Sequence, residues 1–417
     1  MNKKNIIAGI DIGSYAIKTV IAQAPAEESV WRVLGASSIL SKGVRKGVVV
    51  DPEETAKAIK ESLQIAQQMS DIKPNKFWVS VTSHNIEMRQ AKGVVAIGRS
   101  DGEVTKNDLE RVLESSRNTL SVSNREIIHS FPSSYRLDDQ ENIKDPLGMK
   151  GVRLELQAIS IEGPINQIKN LIKSVQQTKI EPDGLALNSL AASEVILDKQ
   201  QKELGVVLID IGATTTSLII FEEGEIVYIA SIPIGSGHIT NDIAIGLRTS
   251  IETAEKIKLK YGNAFSKEVS KKEEIDLSEV DSNESESVSR YHVSEIIEAR
   301  LEEIFELINK ELKKAGKASL LPAGAVLVGG GAQLPQIVEF TKEKLRLPVQ
   351  LGYPHSLGGV LDKVDETSFA VALGLIMWGN KTEGKIENSQ NVFWDKILNR
   401  DNELWNKLKD WSKKFLP

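Results

Sequence analysis

Ile6–Ile21 reads IIAGIDIGSYAIKTVI, and Val206–Ile220 reads VVLIDIGATTTSLII. Each is an apolar strand that ends in Asp-Ile-Gly, passes through small or hydroxylated residues, and returns as a second apolar strand. A glycine at that bend permits a tight turn and a close approach of backbone to a ligand. Two such hairpins predict two related halves. The competing reading, two ordinary β-hairpins, does not explain why the same tripeptide stands at the same strand-to-turn point in both.

Between the hairpins, Asp51–Met69 has helical period, with Ala56, Ile59, Leu63 and Ala66 on one side. Asp51-Pro52 announces it as an N-cap followed by a first-turn proline. From Val81 to Ile161 the pattern changes to short strands around one helix, Thr105–Leu120. Thr105 and Asp108 form its cap pair, and Leu109, Val112, Leu113 and Leu120 its core stripe. This stretch reads as a small inserted domain. Gln167–Gln177 is again an amphipathic helix. After the second hairpin, Ser266–Ser289 is polar and reads as a mobile loop, or at most a frayed strand pair. A long amphipathic helix follows, marked by Ile296, Ile297, Leu301, Ile304, Phe305, Ile308 and Leu312. Ala325–Val328 then enters the turn Gly329-Gly330-Gly331-Ala332, and Pro335 opens another helix. The globular part ends near Gly379, followed by a polar linker over 380–391.

Composition narrows the function. Hydrophobic residues at 41% and charged residues at 26% of 417 make an ordinary globular balance. A net charge of -6 argues against nucleic acid as the main partner. The absence of cysteine excludes disulfides, thiolate metal sites and a Cys nucleophile, and fits a reducing cytoplasm. Asp11 and Lys18 interrupt the N-terminal apolar run, so it does not read as a signal peptide. No apolar stretch reaches about 18 residues, so no spanning helix is expected. His84, His129, His238, His292 and His355 lack ligand spacing, and no Gly-x-Ser-x-Gly elbow stands between strand and helix.

The hairpins also form a candidate site. A triphosphate with Mg²⁺ needs backbone N–H donors for its oxygens and carboxylates for the metal or its waters. Gly13 and Ser14 with Tyr15, and Gly212, Ala213, Thr214 and Thr215, supply N–H and hydroxyl groups; Asp11 and Asp210 supply the carboxylates. Lys18 either adds a positive charge to the phosphates or stands in solvent.

The combination resembles the actin, Hsp70 and sugar-kinase superfamily. The two phosphate loops look like Asp11-Ile12-Gly13-Ser14 and Asp210-Ile211-Gly212-Ala213-Thr214, and the adenosine turn like Gly329-Gly330-Gly331-Ala332. The resemblance implies an α/β, actin-like two-domain ATPase fold that binds ATP with Mg²⁺, with weak hydrolysis at most. Ile180–Ala186 is similar to the superfamily's connecting helix, and Glu181 matches the position that faces the attacking water; alternatively, Glu-Pro is simply a helix start. Thr253–Lys258 looks like the helix that touches ribose and base, which carries over Glu255 and Lys258, unless these are only an exposed charged face.

Within the superfamily the chain is most similar to the FtsA cell-division family. Gly43–Gly47 with the Asp51 helix, Asp145–Arg153 and Gly235–Gly262 carry this resemblance, together with the tail. It implies a core of 1–80, 162–205 and 350–379, with an inserted subdomain at 81–161. It implies a second core of 206–236 and 320–349, with a helical subdomain at 237–319. It further implies a homopolymer on the cytoplasmic face of the cell membrane at the division site. There the family tethers FtsZ filaments, through the FtsZ C-terminal peptide, and meets other division proteins. The acidic stretch Ser266–Ser289 departs from the family pattern.

The tail can be read without any family. In 392–417, Leu404, Leu408, Trp411 and Phe415 fall within an arc of about 60°, with Trp405 at its edge. Lys407, Lys409, Lys413 and Lys414 lie around the rest, and Phe393, Trp394 and Ile397 begin a similar pattern upstream. Aromatic residues beside a Lys-rich face suit the headgroup boundary of anionic inner-membrane lipids. The competing reading is a helix docked on the core or on a partner. Two other functions share the fold: a type IV pilus assembly ATP-binding protein, and a small-molecule kinase. Neither gives a reason for such a tail.

Overall fold

A computed structural model describes residues 6–25, 30–98, 100–120, 124–282, 286–355, 357–359, 364 and 367–386. The residues proposed for the membrane, Phe393 to Phe415, lie outside that set.

The first sheet contains β1 (Ile6–Ile12), β2 (Ala16–Gln23), β3 (Trp31–Leu40), β6 (Lys76–Val81), β11 (Gly184–Leu187) and β19 (Leu357–Gly359), in the order β11-β6-β1-β2-β3-β19. Val44–Arg45 (β4) and Val48–Val49 (β5) form a small hairpin beside it. The second sheet contains β12 (Val206–Ile211), β13 (Thr216–Glu222), β14 (Glu225–Ile232), β17 (Ala325–Val328) and β18 (Val349–Leu351), in the order β14-β13-β12-β17-β18. The halves repeat one plan. In each, the first strand pairs antiparallel with the second and parallel with a strand that arrives later. The registers match too: Ile12 faces Ile17 across the first turn, and Ile211 faces Thr216 across the second.

Helix α1 (Pro52–Ser70) starts where Asp51 predicts, its carboxylate accepting from Glu53 N and Glu54 N at 3.1 Å. Its buried stripe, Ala56, Ile59, Leu63 and Ala66, packs on the first sheet. Helix α3 (Ile165–Gln177) lies beside it. Helices α4 (Asn188–Ile196) and α10 (Ala370–Ile386) pack on each other and join the two sheets through one continuous apolar core. The short α5 (Lys199–Leu204) leads into β12. A separate core on the other face of the second sheet gathers α6 (Ser236–Leu247), α7 (Ile251–Tyr261), α8 (Arg290–Lys314) and α9 (Ile337–Leu345).

The stretch from β7 (Glu87–Ala96) through β8 (Arg125–Leu137) and β9 (Gln140–Ile143) to β10 (Arg153–Pro164) forms its own sheet, ordered β7-β10-β8-β9, and does not extend the first one. Helix α2 (Lys106–Thr119) covers it and carries the predicted capping box between Thr105 and Asp108. The inserted unit meets the first half through aromatic rings. His129 stacks on Phe131 at 5.8 Å, and Trp378 of α10 meets His129 edge-on at 5.3 Å.

Three expectations change. Ile180–Ala186 is not helical: Asp183 accepts from Phe77 N and donates its own N–H to Phe77 O, which starts β11 along β6, and the helix begins only at Asn188. In the described part of Ser266–Ser289 the strand-pair reading holds over the mobile loop, with a buried seat that the composition does not suggest. Strands β15 (Glu274–Asp276) and β16 (Ser287–Ser289) pair, and Ile275 and Leu277 are buried in the second core. The stretch read as a linker from residue 380 begins instead as the last turns of α10, which runs to Ile386.

Candidate functional site

The two Asp-Ile-Gly turns face each other across a cleft of about 880 Å³ between the sheets. The first turn closes with Gly13 N–H donating to Ala16 O at 3.2 Å, and the second with Gly212 N–H donating to Thr215 O at 3.0 Å. The cleft brings together Asp11, Gly13, Ser14, Tyr15 and Lys18 with Asp210, Gly212, Ala213, Thr214 and Thr215. Glu255 and Lys258 of α7 and the turn Gly329–Gly331 complete it from the second half. Two predicted residues do not join them. Ala332 is buried in the second core and contributes only a backbone N–H that donates to Gly329 O. Glu181 is exposed before the first residue of β11; that parallel strand carries the chain on towards the cleft, which it reaches at Asn188.

Local packing explains why the turn at Gly329 is glycine. Its φ is +88° and its ψ 170°, a combination open in practice only to glycine. A Cβ there would stand 2.4 Å from Asp210 Oδ1. Thr367 fastens the same residue by accepting from Gly329 N and donating to Gly329 O, each at 3.0 Å. Opposite, Ser236 N and Gly237 N donate to Gly212 O and Ala213 O, so the start of α6 braces the second turn. Lys258 is not a solvated charge: it pairs with Glu255 at 2.7 Å and donates to Thr240 Oγ1 at 2.8 Å. Lys18 likewise turns inward, donating to Ser368 O at 2.6 Å and lying over the Phe369 ring.

The electrostatics centre on the two aspartates. Burial pushes Asp11 above the ordinary carboxylate range, partly offset by the Lys18 charge and a hydrogen bond from Ser80 Oγ at 2.9 Å. Asp210 rises to about 6, through burial and the neighbouring Asp11 charge, against a hydrogen bond from Asn188 and the Lys18 charge. Two carboxylates that resist ionisation side by side favour either a proton or a cation. Among the described residues no three acidic or histidine side chains form a metal cage. The pair therefore fits a cation that brings water or phosphate as its remaining ligands, as Mg²⁺ does. Burial, and then Glu255 across the cleft, push the Tyr15 hydroxyl up as well.

Sequence reasoning missed Asn188 and Ser80. Asn188 Nδ2 donates to Asp210 Oδ2 at 3.1 Å and to Ser217 Oγ at 3.3 Å. Ser80 carries one legible signal, a lone hydroxyl inside the apolar run Val79-Ser80-Val81. Asn188 carries none, because its partner stands on another sheet.

Residues 207–374 match the family description "Cell division protein FtsA", and residues 83–161 match "SHS2 domain inserted in FTSA". The cell division protein FtsA of Pseudomonas aeruginosa is 36% identical over 374 residues, 90% of this chain and 89% of that one. The chain belongs to the FtsA family of cell-division proteins. FtsA of Bacillus subtilis is 32% identical over 379 residues, covering 91% of this chain and 84% of the relative. Among solved structures, a chain of the PilM-PilN type IV pilus biogenesis complex superposes with a TM-score of 0.64 at 16% identity, covering 89% of this chain and 98% of that one. MreB5 of Spiroplasma citri bound to ADP superposes at 0.53 with 14% identity, covering 92% and 99%. At those identities the likeness speaks to fold alone. This FtsA-family chain has the actin-like ATPase fold, with the SHS2 domain as its insertion. No helix among the described residues is long and apolar enough to cross a membrane.

Proposed function

We propose that this FtsA-family chain binds ATP with Mg²⁺ between its two halves. The observation that carries this is the pair of Asp-Ile-Gly turns meeting in one cleft, with Asp11 and Asp210 each pushed up by burial. The turn residues after each closing glycine, Ser14 and Tyr15 in the first and Ala213, Thr214 and Thr215 in the second, bind the phosphates through backbone N–H groups, the aspartates hold the cation through its waters, and α7 with the Gly329 turn holds the nucleoside. Mg²⁺ supplies charge neutralisation of the phosphates. MreB5 of Spiroplasma citri, which shares the fold, has been seen with ADP and with AMPPNP. The nucleotide-loaded chain polymerises head to tail on the cytoplasmic face of the membrane, its 392–417 segment anchoring it there. It ties FtsZ filaments of the Z ring to that surface through their C-terminal peptide and recruits further division proteins. Heterologous contacts extend into filaments when they do not close. The test is calorimetric titration of ATP and Mg²⁺ into wild type and Asp210→Ala. Affinity should fall at least tenfold or so in the variant, one charged contact of ~1.4 kcal/mol or more being removed. Equal affinities would remove the site from consideration.

A further inference from the structure

We propose that the inserted domain sets the geometry of the phosphate site through His129, a positioning residue that acts by way of Leu187 and Asn188. This rests on the reading of the cleft as a nucleotide site. Strand β11 is an edge of the first sheet, so among the described residues one side of its backbone lacks a strand partner, a position folded proteins cover. The inserted domain covers it at one atom pair: Leu187 N–H donates to His129 Nε2 at 3.1 Å, in the buried interior. An imidazole that accepts at Nε2 carries no proton there, so the contact requires the neutral ring. Burial in the aromatic nest, and then the Arg117 charge, depress His129 to about 3, so the ring stays neutral throughout the physiological range. Phe131 and Trp378 fix its plane.

The residue after Leu187 is Asn188, whose carboxamide donates to Asp210 Oδ2 and Ser217 Oγ. Leu187 is the cap of α4 and makes no side-chain capping bond of its own, and its N–H is held by the imidazole of His129. The chain of contacts thus runs from the inserted domain to Leu187, then one peptide on to Asn188, then to the carboxylate that faces the phosphates. Without the His129 acceptor, the buried Leu187 N–H is left unsatisfied. The peptide then turns to find a partner, and the Asn188 carboxamide turns with it.

Four full-length variants test this: His129→Phe, His129→Gln, Asn188→Ala, and His129→Phe with Asn188→Ala. Phenylalanine keeps the stack and removes the acceptor, whereas glutamine keeps a carboxamide oxygen for Leu187 N–H. His129→Leu replaces His129→Phe if the latter does not fold. The readouts are the ATP dissociation constant with Mg²⁺ and, in the nucleotide-free protein, the NMR signals of the Asn188 side-chain NH₂. We expect His129→Phe to weaken ATP about tenfold, roughly the worth of one misaligned hydrogen bond, and to shift the Asn188 signals. His129→Gln should stay within about threefold of wild type, and the double variant should bind no more weakly than Asn188→Ala alone. A His129→Phe protein that loses thermal stability yet keeps wild-type ATP affinity and unshifted Asn188 signals would overturn the proposal. So would strictly additive losses in the double variant. Should wild type itself not bind ATP, the nucleotide reading fails, and the Asn188 signals alone decide whether the contact chain exists.

Discussion

Replacing Asp210 by asparagine should make the nucleotide-free protein more stable while disabling its ligand site. In the folded chain this carboxyl titrates at about 6, against 3.8 for the free side chain, because burial and Asp11 oppose its charge. A carboxyl raised on folding holds a proton that the unfolded chain releases between those two values. Its penalty is therefore full above about pH 6 and fades as pH falls towards 3.8. Two units and a little more correspond to about 3 kcal/mol at pH 8, roughly half that at pH 5, and little at pH 4. Asparagine is neutral at every pH, keeps an oxygen for Asn188 Nδ2, and has nearly the same volume. The assay is guanidinium unfolding of wild type and Asp210→Asn at pH 8 and pH 5, without nucleotide. Groups outside the aspartate pair titrate alike in both proteins, so the difference isolates Asp210 together with its effect on Asp11. The variant should gain on the order of 2–3 kcal/mol at pH 8 and about half as much at pH 5. Adding ATP and Mg²⁺ should then stabilise wild type and leave the variant unmoved. A variant no more stable than wild type at pH 8, or a gain independent of pH, would refute the claim that the two aspartates strain each other.

Gly329→Ala should lower unfolding stability by about 1–3 kcal/mol from backbone strain alone. Its new methyl also displaces the Asp210 carboxylate, so ATP affinity should fall as well; an unchanged denaturation midpoint would contradict the contact at 2.4 Å. Trp411→Glu, in the tail, should abolish flotation with anionic liposomes while ATP binding and melting temperature stay as in wild type. Persisting flotation with a lowered melting temperature would show a core helix instead of an anchor.

What the sequence made legible was local. Asp51-Pro52 and the Thr105–Asp108 pair mark helix starts, because a cap and the N–H groups it satisfies lie within a few residues of one another. The two Asp-Ile-Gly turns were legible for the same reason, since a hairpin's register is fixed at its own turn. The partners that tune the site were not. Ser80 reaches Asp11 from a neighbouring strand, and Asn188 reaches Asp210 from the other sheet. Glu181 illustrates the opposite failure. A short motif matched, but Gly184–Leu187, buried throughout and paired with β6, is a strand, so the match at Glu181 falls before that strand and outside the cleft. In Ser266–Ser289, Ile275 and Leu277 were hidden among charges because two buried side chains suffice to seat a hairpin on an existing core.

The repeat in the two halves gives a physical reason why an inserted domain should bear on the ligand site at all. In the first sheet Asp11 stands one register step past the Ile10–Val79 pair, level with Ser80; in the second sheet Asp210 pairs with Val328. Ser80 and Val328 are thus equivalent, and each strand leaves its sheet at the same place beside an aspartate. The second-half exit becomes Gly329–Gly331, the turn that lines the cleft. The first-half exit becomes Thr82 and Ser83, the root of the inserted domain. The outer strands correspond in the same way: β11 ends at Leu187, one residue before Asn188 beside the site, and β18 ends at Leu351, one residue before Gly352, whose N–H donates to Leu327 O. The symmetry breaks at the residues opposite the aspartates. Lys18 faces Asp11, whereas Ser217 faces Asp210, so an ammonium pairs across the strands with the first aspartate and a hydroxyl with the second. An insertion rooted one strand from Asp11 and touching the strand that ends at Leu187, next to Asn188, needs no long path to Asp210. His129 to Leu187, and Asn188 to Asp210, are two hydrogen bonds separated by a single peptide.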